Sequence, residues 1–101
     1  MVFFMQNPHE REDYSMKVPI HDAAAIGRVV RACRKAYKLR QDDAAGSIGV
    51  SENFLGKVER GGESVHWGKL FQVCHELGIE LTVDVPEIVG VYLSDSMSAR
   101  G

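Results

Sequence analysis

The side chains best suited to chemistry in this chain of 101 residues are basic, and they are concentrated in its middle. Residues 28–69 carry nine Lys and Arg against five Asp and Glu, whereas residues 1–27 carry two against four and residues 70–101 carry one against five. A basic surface between acidic flanks indicates one face for an anionic partner. A solvated surface of mixed charge has the same composition, so charge alone leaves both interpretations open.

Residues that could bind a metal or act as nucleophiles are present but poorly spaced. Cys74 and His75 are adjacent, so a helix directs their side chains apart, and the other histidines, His9, His21 and His66, are scattered. The sequence has no GxSxG motif, no phosphate-binding glycine loop and no Cys–His pair with a third orienting group. We therefore expect no metal, no cofactor and no enzymatic activity.

The composition is that of one globular domain, with 45% hydrophobic and 26% charged residues. The longest apolar runs, residues 2–5 and 88–93, are far shorter than the roughly 20 residues of a membrane-spanning helix. Residues 2–5 are also shorter than a signal-peptide core, and no basic segment precedes them. We expect a cytoplasmic protein without membrane association. In that compartment Cys33 and Cys74 are expected to be reduced and partly buried, although the sequence leaves a disulfide open.

Capping residues and helical periodicity predict four helices before residue 79. Asp22, Ser51 and Ser64 are the candidate N-caps of the first, third and fourth helices. The four predicted helices cover residues 23–37, 41–48, 52–59 or 60, and 65–77. The apolar face of the fourth helix consists of Trp67, Leu70, Phe71, Cys74 and Leu77. We expect Trp67 in the core, with a role as anchor for a partner protein as the alternative.

The period changes from helical to alternating after Gly78. Ile79, Leu81, Val83 and Val85 alternate with polar residues up to Pro86, which is typical of a half-buried strand. A lone strand on a small helical domain leaves its backbone groups unpaired. It can pair with the same strand of a second subunit about a two-fold axis, or with residues 88–93 of its own chain. We favour the strand that pairs across a homodimer.

Residues 41–60, QDDAAGSIGVSENFLGKVER, satisfy the requirements of two short helices that pack near a right angle. Ala45 is small where the helices must touch, and Gly49 can adopt the positive φ of the turn. Apolar residues fall at the inner positions, namely Ala44, Ile48, Val50, Leu55 and Val58. This pattern indicates a helix-turn-helix, whose second helix enters the DNA major groove. The alternative is an ordinary pair of core helices that meets these requirements by chance.

Residues 39–61, LRQDDAAGSIGVSENFLGKVERG, resemble the Cro/C1-type (Xre) helix-turn-helix family. Residues 65–85, VHWGKLFQVCHELGIELTVDV, resemble the HipB-type antitoxins of that family. The resemblance covers about residues 24–86. It implies a mainly α, λ-repressor-like domain of four to five helices, with a C-terminal β-strand that pairs across a homodimer. It also implies that dimers bind a palindromic operator, repress their own operon, and hold a HipA-like kinase toxin inactive.

The resemblance assigns roles to individual residues. Gln41 is placed at a phosphate, and Glu52, Asn53 and Lys57 on the exposed face of the recognition helix. Asn can bond adenine, Lys can reach guanine or phosphate, and Glu can accept from cytosine, although Glu52 can equally be a first-turn carboxylate that touches no base. The predicted DNA-binding residues are Arg40, Gln41, Ser51, Glu52, Asn53, Lys57 and Arg60, with the basic residues of the first helix as further candidates for phosphate contact.

The resemblance also places Arg34 and Glu59 in a buried ion pair between the first helix and the recognition helix. Two positions depart from the family pattern, because Gly46 and Gly56 lie inside helices and each costs up to ~1 kcal/mol relative to Ala. Phe54 is a third departure, and it either packs beside the core residues of its helix or contacts a thymine methyl.

These observations predict an N-terminal arm (residues 1–20), a helix-turn-helix domain (21–78), a dimerisation strand (79–86) and a C-terminal tail (87–101). The predicted function is a DNA-binding autorepressor that is also the HipB-like antitoxin of a type II toxin–antitoxin pair. A stand-alone Xre-type repressor without a toxin is the first alternative. A protein-interaction module that no longer binds DNA sequence-specifically is the second.

Overall fold

The computed structural model of the protein describes residues 15–100, with side chains for residues 15–94. Its five α-helices are α1 (Ala23–Ala36), α2 (Gln41–Ile48), α3 (Glu52–Glu59), α4 (Trp67–Glu76) and α5 (Val89–Arg100). The predicted mainly α class with four to five helices is thereby confirmed. The first 14 residues of the predicted N-terminal arm lie outside the described residues.

Side-chain caps start α1 and α3 where the sequence predicts them. The Asp22 carboxylate accepts a hydrogen bond from the Ala25 N–H at 2.8 Å, and the Ser51 hydroxyl accepts one from the Phe54 N–H at 3.0 Å. Each bond satisfies a backbone donor that has no partner inside its helix.

The predicted cap of α4 is wrong. The helix begins at Trp67, and the His66 ring, through Nδ1, accepts a hydrogen bond from the Lys69 N–H at 3.2 Å. Ser64 lies two residues upstream of this cap. Between them, Val65 packs against the core from the connecting segment, and His66 is extended.

Helices α1 to α4 enclose the hydrophobic core. Its largest fully buried side chains are Val30, Leu55, Val73, Cys74 and Leu77. Burial of a side chain of this size contributes about 1.5–3 kcal/mol. Because Leu55 is contributed by α3, this helix is anchored in the centre of the domain.

A glycine allows α1 and α3 to approach closely. A Cβ placed at Gly27 would lie 2.9 Å from the Glu59 carbonyl oxygen and nearer still to that of Val58. No side chain fits between the two backbones, so Gly27 sets the distance between α1 and α3.

Trp67 and Phe71 lie outside the core, which corrects their predicted position. They are 67% and 51% exposed, and their ring centroids are 5.7 Å apart. The buried face of α4 consists of Leu70, Val73 and Cys74, followed by Leu77 just after the helix. The two aromatic rings therefore form an exposed pair at the start of α4.

The chain between α4 and α5 has no strand partner in the described protomer. The Ile79 N–H donates to the Cys74 carbonyl at 2.8 Å, and the Ile79 side chain packs against the core. Beyond it, Leu81, Val83 and Val85 are 41%, 83% and 47% exposed, so the predicted burial of one face does not occur within the single chain. Pairing of this segment across a dimer stays a prediction.

Pairing with residues 88–93, the alternative within one chain, is wrong because α5 includes residues 89–93. The N–H groups of Val89 and Gly90 donate to the carbonyls of Pro86 and Glu87 at 3.0 and 2.9 Å, which forms a turn into the helix. Much of the segment predicted as a C-terminal tail is thus helical.

Candidate nucleic-acid interface

The turn between α2 and α3 has the geometry that the sequence predicts. Gly49 has φ +94° and ψ 29°, in the left-handed region that favours glycine. The N–H groups of Gly49 and Val50 both donate to the Ala45 carbonyl, at 2.9 and 3.0 Å. Ala45 is only 2% exposed, so a larger side chain there would push the helices apart. Helices α2 and α3 therefore form a helix-turn-helix.

A side chain of α4 supports this turn. Gln72 Nε2 donates to the Ile48 carbonyl oxygen at 2.7 Å, at the last residue of α2. This bond satisfies a carbonyl that the end of a helix leaves without an intrahelical partner. The role of Gln72 is not predictable from the sequence, because nothing in its local spacing shows which carbonyl its side chain reaches.

The exposed face of α3 carries polar side chains at helical spacing. Asn53, Lys57 and Arg60 are exposed and follow one another at positions i, i+4 and i+7, so they share one side of the helix. Glu52 is exposed in the first turn. Among residues 15–94, no hydrogen bond or ion pair engages the side chains of Glu52, Asn53 or Lys57. Their polar groups are free to contact a ligand.

Phe54, one residue after Asn53 on α3, is less exposed than these polar residues. It is half-buried against the core, and Lys69 Nζ lies 6.0 Å from its ring centroid. Phe54 therefore packs within the domain and is not part of the exposed polar face.

The exposed face is held in place by a buried ion pair behind it. Arg34 Nε and Nη2 donate to the two Glu59 carboxylate oxygens at 2.7 and 2.9 Å, and Arg34 Nη1 donates to the Leu39 carbonyl at 2.8 Å. The side chains of Arg34 and Glu59 are only 11% and 4% exposed. The hydrogen bonds to Glu59 raise the pKa of Arg34, so the guanidinium stays charged. The pair joins α1 and the α1–α2 connection to the end of α3.

Gln41 belongs to the same network. Its Nε2 donates to Glu59 Oε1 at 3.2 Å, and the residue is half-buried at the first position of α2. The amide is therefore oriented by Glu59 and keeps a second N–H for another acceptor. Ser51, also in the predicted set, is exposed and uses its hydroxyl as the cap of α3.

Arg40 is exposed but has acidic neighbours. Its Nη2 lies 3.0 Å from Asp42 Oδ2, and its Nε lies 4.0 Å from Asp43 Oδ2. A phosphate at this position would compete with both carboxylates. On α1, by contrast, Arg28, Arg31 and Lys35 are exposed, and no described residue forms an ion pair with them.

Other kinds of site find little support in the described part of the chain. No group of three or more His, Cys, Asp or Glu side chains that could hold a metal occurs there. Cys33 and Cys74 are free thiols. Burial raises the pKa of Cys74 to about 11 and also raises that of Cys33, so both are neutral near pH 7. No described helix is long and apolar enough to cross a membrane.

The fold and this exposed polar face define a helix-turn-helix protein, and comparison with known proteins identifies its family. The chain is 39% identical over 67 residues to the uncharacterized HTH-type transcriptional regulator y4mF of Sinorhizobium fredii (strain NBRC 101917 / NGR234), covering 66% of this chain and 88% of that protein. The chain belongs to the family of HTH-type transcriptional regulators. No protein-family model matches it.

Solved structures of HipB have the same fold. A chain of the HipA-HipB-O2-O3 complex and one of the HipB-O4 20mer complex each superimpose with a TM-score of 0.62 and 14% sequence identity, covering 68% of this chain and 97% of the other. A complex of a substituted HipB with an O2 20mer gives a TM-score of 0.63 at the same identity, covering 69% of this chain and 97% of the other. This is the Cro/C1-type helix-turn-helix fold that the sequence analysis predicted.

Proposed function

We propose that this protein is a sequence-specific DNA-binding repressor that inserts α3 into the major groove of a palindromic operator. The observation that carries the proposal is the row of Asn53, Lys57 and Arg60, exposed on one side of α3. Asn53 and Lys57 can bond base edges, with Glu52 as a further candidate. Arg40, Gln41, Ser51 and Arg60 flank them and would bind phosphates.

The test is a titration followed by fluorescence anisotropy. The probe is the DNA directly upstream of the protein's own coding sequence, and a scrambled duplex of equal length is the control. Binding that prefers the upstream DNA and weakens steeply between low and near-physiological salt supports a repressor, because phosphate contacts release counterions. Weak and equal binding to both duplexes would overturn the proposal.

We further propose that the repressor acts as a homodimer. Leu81, Val83 and Val85 are exposed in the single chain, and a two-fold antiparallel pairing of residues 79–85 would cover them and satisfy their backbone groups. A dimer also matches a palindromic operator, because its two recognition helices contact equivalent half-sites.

A second role as the antitoxin of a HipA-like kinase rests on the likeness to HipB. One of the similar solved structures is a complex of HipA with HipB. We expect a toxin-sized open reading frame beside the gene. Its product should co-purify with this protein and lose kinase activity in the complex. Failure of the neighbouring product to bind would leave a stand-alone repressor.

One observation favours an interaction with another protein. Trp67 and Phe71 form an exposed aromatic pair, and Trp67 borders a shallow groove of about 280 Å³ that includes Ile26, Val65 and Leu70. Aromatic residues are enriched where protein interfaces are strongest. If DNA binding proves non-specific, an interaction module remains the candidate function, and this patch is the surface to mutate first.

A further inference from the structure

Gly56 lies in the middle of α3, where glycine costs a helix about 1 kcal/mol relative to alanine. A Cβ at Gly56 would lie 2.9 Å from Arg60 Nη1, and 3.5 and 3.7 Å from Gln41 Oε1 and Nε2. The Arg60 guanidinium and the Gln41 amide thus come together over the helix at the one point where Gly56 has no side chain. Gly46, the glycine inside the other helix of the motif, has no atom within 4 Å of its Cβ position.

The charges around this point favour an anion. Glu59 is the nearby carboxylate, but its two oxygens accept from Arg34 at 2.7 and 2.9 Å and from Gln41 at 3.2 Å. Arg34 therefore neutralises Glu59. Within residues 15–94, Arg60 has no ion-pair partner, so one positive charge remains beside the amide.

We infer that Gly56 is a positioning residue that allows Gln41 and Arg60 to bind one backbone phosphate of DNA between them. Two donors from different helices, α2 and the end of α3, would fix the depth at which α3 enters the groove, since phosphate contacts set the register of a protein on the duplex. The inference rests on the proposed DNA binding, and it explains why a residue unfavourable for helices occupies this position.

The test compares Gly56→Ala with Gly46→Ala, two identical exchanges within one motif. A methyl at position 56 displaces the guanidinium, so Gly56→Ala should weaken DNA binding roughly fivefold to tenfold, equally on upstream and scrambled duplex. The slope of log affinity against log salt should fall by about 0.9, which corresponds to one phosphate. Gly46→Ala should leave both quantities unchanged.

Thermal denaturation separates this role from a structural one. Gly46→Ala should raise the melting temperature, and Gly56→Ala should raise it or leave it unchanged because only a flexible side chain must move. Weaker DNA binding by a variant at least as stable as the wild type supports the inference. Unchanged affinity and salt slope in Gly56→Ala would overturn it, while the proposed function would stand if the wild type still preferred the upstream DNA.

A second comparison does not depend on how Gly56→Ala folds. In a double-mutant cycle, Gln41→Ala and Arg60→Gln should each weaken binding, and the double variant should lose less than the product of the two effects, because both donors serve one phosphate. Independent effects on DNA affinity would show that Gln41 and Arg60 do not share a ligand, and would overturn the inference. If the wild type binds neither duplex, the proposed function itself fails.

Discussion

The buried carboxylate of Glu59 holds the end of α3 against the rest of the domain. It is almost fully buried and accepts hydrogen bonds from Arg34 and Gln41, so it joins three parts of the domain at the end of α3. A buried carboxylate that loses its cation is strongly destabilising, typically by about 3–5 kcal/mol. The ion pair thus maintains the orientation of α3, and Arg34 neutralises the negative charge of Glu59 there.

Lys38 has a backbone conformation that favours glycine over a residue with a side chain. It follows α1 with φ +59°, in the left-handed region that costs an L-residue with a side chain roughly 1–2 kcal/mol. Lys38→Gly should therefore stabilise the domain by about 0.5–1 kcal/mol, after allowance for the greater freedom of glycine in the unfolded chain. Thermal denaturation should show a melting temperature about 2–8 °C higher.

Lys35→Gly is the matched control, because it introduces the same residue three positions earlier, inside α1. It should lower stability by about 1 kcal/mol. A decrease for both variants would contradict the strain assigned to Lys38.

Cys74 makes stability depend on pH in the alkaline range. Burial, followed by the nearby Cys33, raises its pKa from 9.0 to about 11. As pH rises above 9 the unfolded chain loses the thiol proton while the folded protein keeps it, so the free energy of unfolding falls between these two values. Urea denaturation at pH 7.5 and 10.5 should show a loss on the order of 2 kcal/mol from this residue. In Cys74→Val the decline should be smaller by that amount, and equal declines would contradict the assignment.

Among the helices, the close approach of α1 to α3 determines the position of α3 in the domain. Gly27→Ala would place a methyl against backbone atoms of Val58 and Glu59, which cannot move aside as a side chain can. We expect a loss of about 2 kcal/mol or more in chemical denaturation, together with weaker DNA binding. The same exchange at Gly46, which meets open space, should be stabilising. A stable Gly27→Ala variant with normal DNA binding would refute the role of this contact.

Features that arise from neighbours in the sequence were predictable. Asp22 and Ser51 cap their helices through hydrogen bonds to residues three positions away, and Gly49 adopts the positive φ that its turn requires. The spacing of Asn53 and Lys57 likewise predicts their common exposed side, because four residues make about one turn of helix.

Features that depend on a distant partner were not predictable. The need for glycine at position 27 exists only because the backbone of α3 passes beside it, and Gln72 acts on a carbonyl 24 residues away. The burial of a residue on α4 likewise depends on which neighbouring helices cover it, so Val73 is buried while Trp67 and Phe71 are exposed. Helix α5 was missed because the apolar run at residues 88–93 has no helical period.

In the molecule as a whole, the exposed polar row and the exposed apolar side chains belong to different elements. The polar residues Asn53 and Lys57 are exposed on α3, whereas the exposed apolar side chains include Trp67 and many between residues 81 and 93. We propose that DNA contacts α3 and that protein partners contact α4 and the chain that follows it.

Charged residues in the proposed dimer strand should abolish the dimer. Sedimentation velocity should show a dimer for the wild type and a monomer for the double variant Leu81→Glu/Val83→Glu, since like charges would face each other across the two-fold axis. Thr82→Glu, on the opposite side of the same segment, is the control and should remain dimeric. An unchanged dimer in the double variant would reject the strand as the interface.

The DNA sequence preference of Asn53→Ala decides whether α3 recognises bases. Its affinity for the upstream DNA and for the scrambled duplex is compared with that of the wild type at one salt concentration. If Asn53 contacts a base, the variant should lose about 1–3 kcal/mol on the upstream DNA and little on the scrambled duplex, so selectivity falls. An equal loss on both duplexes, or no loss on either, would contradict the assignment of α3 as the helix that recognises DNA sequence.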